Sequence, residues 1–216
     1  MILNNFKKRF LTSIFLLLLF FLIFKSYIIL NYCLIVLGVL SILEFLNLSR
    51  KIFKNKLGLI LLNIFFKFYI FIFCFIFLMF FNNTLLKYTL SIILFGCIAS
   101  DIGGFIFGKI FKGPKLTKIS PNKTYSGAIG SIVLTLITVS FLFYYFLKIF
   151  NVDIIILALV VSIFCQLGDL LFSLLKRKAK IKDTGNILPG HGGVLDRLDG
   201  IYLGIPVGIL TLALLH

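Results

Sequence analysis

The sequence predicts an all-α, polytopic integral-membrane helix bundle of about seven transmembrane helices, with a range of about six to eight and the N-terminus in the cytoplasm. Three observations predict it. Hydrophobic residues make up 61% of the 216 and the mean hydropathy is +1.15. A soluble domain averages about 45–50% apolar residues, and a chain this short has too little interior to bury the excess. The apolar residues gather into runs near spanning length, about 17–25 residues, and the basic residues gather between the runs.

In order, the runs cover 10–24, 27–46, 57–81, 88–107, 126–147, 153–175 and 199–215. The first follows Lys7-Lys8-Arg9, as a signal peptide would. Phe24, Lys25 and Ser26 stand where a small-x-small cleavage site belongs, so a retained helix is expected. The third run contains Lys67, which must be buried against protein or reach for the interface along its aliphatic stem. That run is too short for two spans.

Charge supports this count. With the N-terminus inside, the cytoplasmic segments carry 3 (Lys7, Lys8, Arg9), 4 (Arg50, Lys51, Lys54, Lys56), 5 (Lys109, Lys112, Lys115, Lys118, Lys123) and 6 (Lys176, Arg177, Lys178, Lys180, Lys182, Arg197) basic residues, or 18 of 22. Lys25, Lys87 and Lys148 fall outside. One missed helix would scramble this positive-inside pattern. The net charge of +15 is thereby explained by topology and by anionic lipid, and nucleic acid is not an expected partner. Cys33, Cys74, Cys97 and Cys165 each lie alone in an apolar run and read as buried small hydrophobes rather than metal ligands or disulfides. Neither a repeat nor a soluble domain is evident. The chain reads as a single membrane domain, 1–216, with N-terminal helices over 1–98 and a catalytic half over 99–216.

Two cytoplasmic segments are long, about 108–125 and 176–198, and rich in Gly, Pro and Lys. Five of the seven acids flank them: Asp101, Asp169, Asp183, Asp196 and Asp199. Asp153 beside Asn151 is a solvated turn residue, and Glu44 is expected to pair with a basic neighbour such as Lys67 or Arg50. Asp169, Ser173 and Lys176 share one helical face, and Arg177 follows Ser173 by one turn; Asp196 and Asp199 share a face of a helix starting near Leu195. Carboxylates among lysines at one membrane face suit a hard divalent cation and phosphates. The bland alternative is ion pairing, of Asp169 with Lys176 and of Asp199 with Arg197 or a lysine.

The glycines around His191, in Pro189-Gly190-His191-Gly192-Gly193, permit positive φ and close backbone approach to a phosphate. Ser120 before Pro121 fits an N-cap and first-turn proline, with Lys123 and Thr124 as donors to an anion at that helix N-terminus. Gly103-Gly104 and Gly108 suit small-residue helix packing rather than a dinucleotide fingerprint.

The run SLLKRKAKIKDTGNILPGHGGVLDRLD, Ser173 to Asp199, resembles the signature of the phosphatidate cytidylyltransferase (CDP-diacylglycerol synthase) family. The matching positions are Ser173, Lys176, Arg177, Lys182, Asp183, Gly185, Pro189, His191, Gly192, Gly193, Asp196, Arg197 and Asp199, with Gly168-Asp169 upstream. A second block, SDIGGFIFGKIFKGPKLTKISPNKTYSG, matches at Asp101, Gly108, Lys109, Lys115, Ser120, Pro121, Lys123, Thr124 and Gly127. It departs from the usual pattern at Gly104, Phe105, Tyr125 and Ser126, the last standing where Glu or Gln is usual.

The resemblance implies attack of phosphatidic acid on the α-phosphorus of CTP, giving CDP-diacylglycerol and pyrophosphate, with Mg²⁺ and room for a second, monovalent cation. It implies Asp169 and Asp196 as metal ligands and Asp169, Asp196, Lys176 and Asp199 as catalytic residues. Substrate contacts or their orientation fall to Asp101, Ser120, Lys123, Thr124, Ser173, Arg177, Lys182, Asp183, His191, Gly192, Gly193 and Arg197. CTP, phosphatidic acid and the bilayer are the expected partners, with a homodimer left open. The expected location is the cell inner membrane, multi-pass, with the active site on the cytoplasmic side. Two alternatives are a CTP-dependent polyprenol or phytol kinase-like enzyme and, from a different class, a membrane transporter, in which acids would line a pathway within the spans.

Overall fold

A computed structural model describes residues 18, 19, 21–53, 55–117, 120, 121, 123–185, 187 and 192–215. All secondary structure longer than an isolated bridge among them is helical: α1 Tyr27–Ile52, α2 Lys56–Phe81, α3 Thr84–Phe111, α4 Tyr125–Leu147, α5 Val152–Lys178 and α6 Leu195–Leu215. All six are long and apolar enough to cross a membrane, as a multi-pass membrane protein requires. Residues 18, 19 and 21–25 are also helical, and most of the expected first span, 10–24, lies outside the described residues. Each of these helices contains its expected run, and several extend by about a turn into the flanking basic residues, where the backbone can keep its ladder in the headgroup region.

The chain forms two compact units. One contains residues up to Phe81 together with Leu175–Arg197; the other contains Asn82–Leu174 and Leu198–His216. In the first, α1 and α2 meet through a stacked Phe45–Phe66 pair with ring centroids 3.7 Å apart. A buried hydrogen bond from Ser49 Oγ to Asn63 Oδ1 (2.8 Å) joins them again. A hydroxyl and an amide that satisfy each other avoid the cost of a lone polar group in an apolar layer. Lys67 is exposed on α2.

In the second unit, small residues let the helix backbones come close. A Cβ on Gly103 would lie 2.5 Å from the Gly130 carbonyl oxygen, and one on Gly104 would lie 2.8 Å from Ser131 Oγ. Gly103-Gly104 is therefore the packing surface of α3 on α4 that its composition suggested. On α5 and α6 the same device recurs: a Cβ on Gly168 would lie 2.6 Å from the Asp199 carbonyl oxygen, and one on Gly200 would lie 3.1 Å from that of Cys165. Ser131 Oγ donates to the Ser100 carbonyl (2.7 Å), and the Ser100 and Ser162 hydroxyls lie 3.2 Å apart. Cys97 and Cys165 are buried free thiols within this unit.

Candidate active site

Within the second unit, the segment between α3 and α4 folds back on itself. Lys112 (φ 50°) and Gly113 (φ 105°) turn the chain, after which Leu116 N donates to Lys123 O (2.7 Å) and Tyr125 N to Pro114 O (3.1 Å). The cap of α4 is Thr124, whose Oγ1 accepts from Gly127 N at 3.1 Å. This corrects the expectation for Ser120, which lies instead in a turn closed by Lys123 N on its carbonyl (3.1 Å). Proline at 121 favours that turn as readily as a helix start. Ser126, which departs from the usual pattern, donates a short hydrogen bond to the Lys112 carbonyl and so closes the same segment.

Folding back delivers Lys123 to α5, where its ammonium pairs with Asp169 Oδ2. Ser173 Oγ donates to Asp169 Oδ1 at 3.3 Å, as their shared face predicted. Both partners of the ion pair keep access to solvent, with side chains 26% and 31% exposed. Asp101 is exposed on α3, and Asp199 is buried near the start of α6.

In the first unit, α5 ends with Lys180 in the left-handed region (φ 57°). Ile181 N returns to Lys176 O and Lys180 N to Arg177 O, both at 3.0 Å, which satisfies the last carbonyls of the helix. Lys176 Nζ reaches Asp196 Oδ1 at 2.7 Å. Asp196 Oδ2 accepts from Thr184 N (2.8 Å) and Gly193 N (3.1 Å), with Thr184 Oγ1 a further 3.1 Å neighbour. The pairing of Asp169 with Lys176, given as the alternative to metal binding, is not the one formed: Lys123 pairs with Asp169 and Lys176 with Asp196. Arg177, Lys182, Asp183 and Arg197 are exposed. His191 and Pro189-Gly190 lie outside the described residues.

Glu44 supplies the feature the sequence did not assign. It is 3% exposed, and its carboxylate faces Thr184, Val194 and Leu195 rather than Lys67 or Arg50. Thr184 Oγ1 donates to Oε2 (2.7 Å), Val194 N to Oε1 (3.0 Å) and Leu195 N to Oε2 (2.9 Å). Leu195 opens α6, so Glu44 caps that helix from α1, where its unpaired amides favour an anion. The one signal in the sequence was an acid inside an apolar run. Gly192 does take positive φ (86°), but the Gly193 amide is given to Asp196 and is not free for a phosphate. Gly193 is required for another reason: a Cβ there would fall on Thr184 Oγ1 and within 2.8 Å of Glu44 Oε1.

Among the described residues no group of three or more His, Cys, Asp or Glu is placed to hold a metal. Magnesium needs fewer protein ligands, since one or two carboxylates suffice with water and substrate phosphate. Asp169 and Asp196 fit that donor chemistry: each carboxylate is hard oxygen that already attracts a cation, the ammonium of Lys123 or Lys176. On Asp196 two backbone amides engage Oδ2, so Oδ1, which faces Lys176, is the oxygen a cation would reach.

A model of the family described as "Cytidylyltransferase family" matches residues 3–215. The chain is 41% identical over 133 residues to the phosphatidate cytidylyltransferase of Bacillus subtilis (strain 168), covering 59% of this chain and 49% of that protein. It is 43% identical over 128 residues to that of Rickettsia felis, covering 54% and 56%. It is 46% identical over 112 residues to that of Staphylococcus haemolyticus, covering 50% and 42%. The chain spans about half the length of the curated relatives it matches.

Proposed function

We propose a function on the premise that this match establishes: the chain belongs to the cytidylyltransferase family. The reaction is transfer of cytidylate from CTP to phosphatidic acid. An oxygen of the lipid phosphate forms a bond to the CTP α-phosphorus, the bond from that phosphorus to the bridging oxygen breaks, and pyrophosphate leaves. The product is CDP-diacylglycerol.

Two anions must approach each other, so the barrier is dominated by charge repulsion, and preorganised cations lower it most. The observation that carries the reading is the arrangement of Lys123 on Asp169 and Lys176 on Asp196, in a chain that matches the cytidylyltransferase family over residues 3–215. Each lysine is held in place by its aspartate before substrate arrives. Exposed Arg177, Lys182 and Arg197 add further cations to meet phosphate oxygens. Asp169 and Asp196 would hold Mg²⁺, with a second, monovalent cation sharing the charge. When bound, the metal supplies Lewis-acid neutralisation of the phosphates. Ser120, Thr124, Ser173, Asp101, Asp183, His191 and Gly192 complete the substrate-binding set, and Asp199 the catalytic one, while Gly193 serves by giving its amide to Asp196. The 18 of 22 basic residues assigned to one side support an active site on the cytoplasmic face of the inner membrane. The lipid then keeps its acyl chains in the hydrocarbon while its phosphate reaches the lysines.

The test is incubation of the purified protein in detergent micelles with labelled CTP and phosphatidic acid, with Mg²⁺ or with EDTA. Labelled CDP-lipid that appears only with Mg²⁺ is the expected result. Phosphorylated lipid from a polyprenol acceptor, with no CDP-lipid, would make the enzyme a kinase instead.

A further inference from the structure

We propose that Glu44 is a positioning residue: from α1 it holds Thr184, Val194 and the first turn of α6, and through them the carboxylate of Asp196. A carboxylate within an apolar run is expensive unless every lone pair it turns inward meets a donor. Glu44 meets that condition with groups 140 to 151 residues away in sequence, all in one segment. Its two oxygens take the Thr184 hydroxyl and the amides of Val194 and Leu195.

Thr184 links the two acids. Its hydroxyl has one proton to give, and Oγ1 lies closer to Glu44 Oε2 (2.7 Å) than to Asp196 Oδ2 (3.1 Å). Its amide completes the link by donating to Asp196 Oδ2 at 2.8 Å. The fit around Glu44 also needs glycine. A Cβ on Gly185 would lie 2.7 Å from Glu44 Oε1, and one on Gly193 would lie 2.8 Å from the same atom. Glu44 therefore sits in a notch that the missing side chains of Gly185 and Gly193 leave open, beside the Thr184 hydroxyl and the amides of Val194 and Leu195. It also occupies the amides at the start of α6, so a substrate phosphate meets the side-chain cations and not that helix end.

The structural part of this inference stands on the hydrogen bonds alone; its effect on turnover rests on the cytidylyltransferase reading. The experiment measures both on the full chain in detergent, with Glu44→Gln, Thr184→Val and Thr184→Ser. Gln keeps the length but places an NH₂ against a backbone donor. Val keeps the shape of Thr and removes the hydroxyl, and Ser restores it. Amide exchange in peptides covering 184–195 should accelerate about ten-fold or more in Glu44→Gln, and in the same direction in Thr184→Val, with α3 and α4 unchanged. Thr184→Ser should return to the native rate. CDP-lipid formation should lose kcat about ten-fold with KM for CTP nearly constant, because alignment of Asp196 matters most in the transition state. Unchanged exchange over 184–195 in Thr184→Val, or acceleration spread evenly over the whole chain in Glu44→Gln, would overturn the proposal. Should Glu44→Gln not fold, Thr184→Val decides. A wild-type protein that forms no CDP-lipid, with variants that still show the local acceleration, would sink the enzymatic reading and keep the anchor.

Discussion

Lys176 Nζ lies 2.7 Å from Asp196 Oδ1, so the last turn of α5 and the first turn of α6 are tied by an ion pair whose side chains are 12% and 9% exposed. At that depth the two charges depend on each other, since removing one leaves the other buried and uncompensated.

Lys176→Met keeps the length of the side chain and removes its charge. It should destabilise the protein by about 3 kcal/mol, and Lys176→Met combined with Asp196→Asn should recover part of that loss. Thermal or denaturant unfolding in detergent as a double-mutant cycle measures the coupling, and strictly additive losses would show that the pair is not one unit.

Asp169 gives the contrasting case. Its pair with Lys123 is about a third open to solvent, and such pairs contribute only about 0–1 kcal/mol. Asp169→Asn should therefore melt within a few degrees of the native protein while CDP-lipid formation falls by about two orders of magnitude or more. Native turnover in this variant would remove Asp169 from the metal and phosphate chemistry.

Gly193→Ala places a methyl group on Thr184 Oγ1 and against Glu44. Overpacking of this kind costs about 1–3 kcal/mol. Gly58→Ala is the control, because its nearest neighbour would be Phe53 Cδ1 at 3.9 Å and its position is helical. It should be neutral or slightly stabilising by about 0.5–1 kcal/mol. Equal melting shifts in the two variants would contradict the notch around Glu44.

Thr124→Ala removes the α4 cap and should cost about 1 kcal/mol, whereas Ser120→Ala should stay within about 0.5 kcal/mol. Unfolding curves of the two proteins decide between the cap seen at Thr124 and the one that Ser-Pro suggested.

Much of the architecture could be read along the chain. Six of the expected runs became helices α1 to α6, with most ends within about a turn and the end of α1 farther on, at Ile52 rather than 46, because hydropathy over 20 residues is a property of the run itself. Spacing also carried the Asp169–Ser173 contact and the start of α6 at Leu195, both set by local helical geometry. The N-cap failed because two residues, Ser120 and Thr124, both had the required hydroxyl. The back-folding of 114–116 onto 123–125 decided which one met a free amide.

By itself, then, the sequence determined that this is a membrane helix bundle, and which lysines, aspartates and glycines form its signature. Only the tertiary structure decided their partners: Lys123 for Asp169, Lys176 for Asp196, and Glu44 for Thr184, Val194 and Leu195. The physical reason is that a helix is specified by neighbours within a few residues. A buried carboxylate is satisfied by whichever donors the fold delivers to it, and for Glu44 these come from as far as 151 residues along the chain.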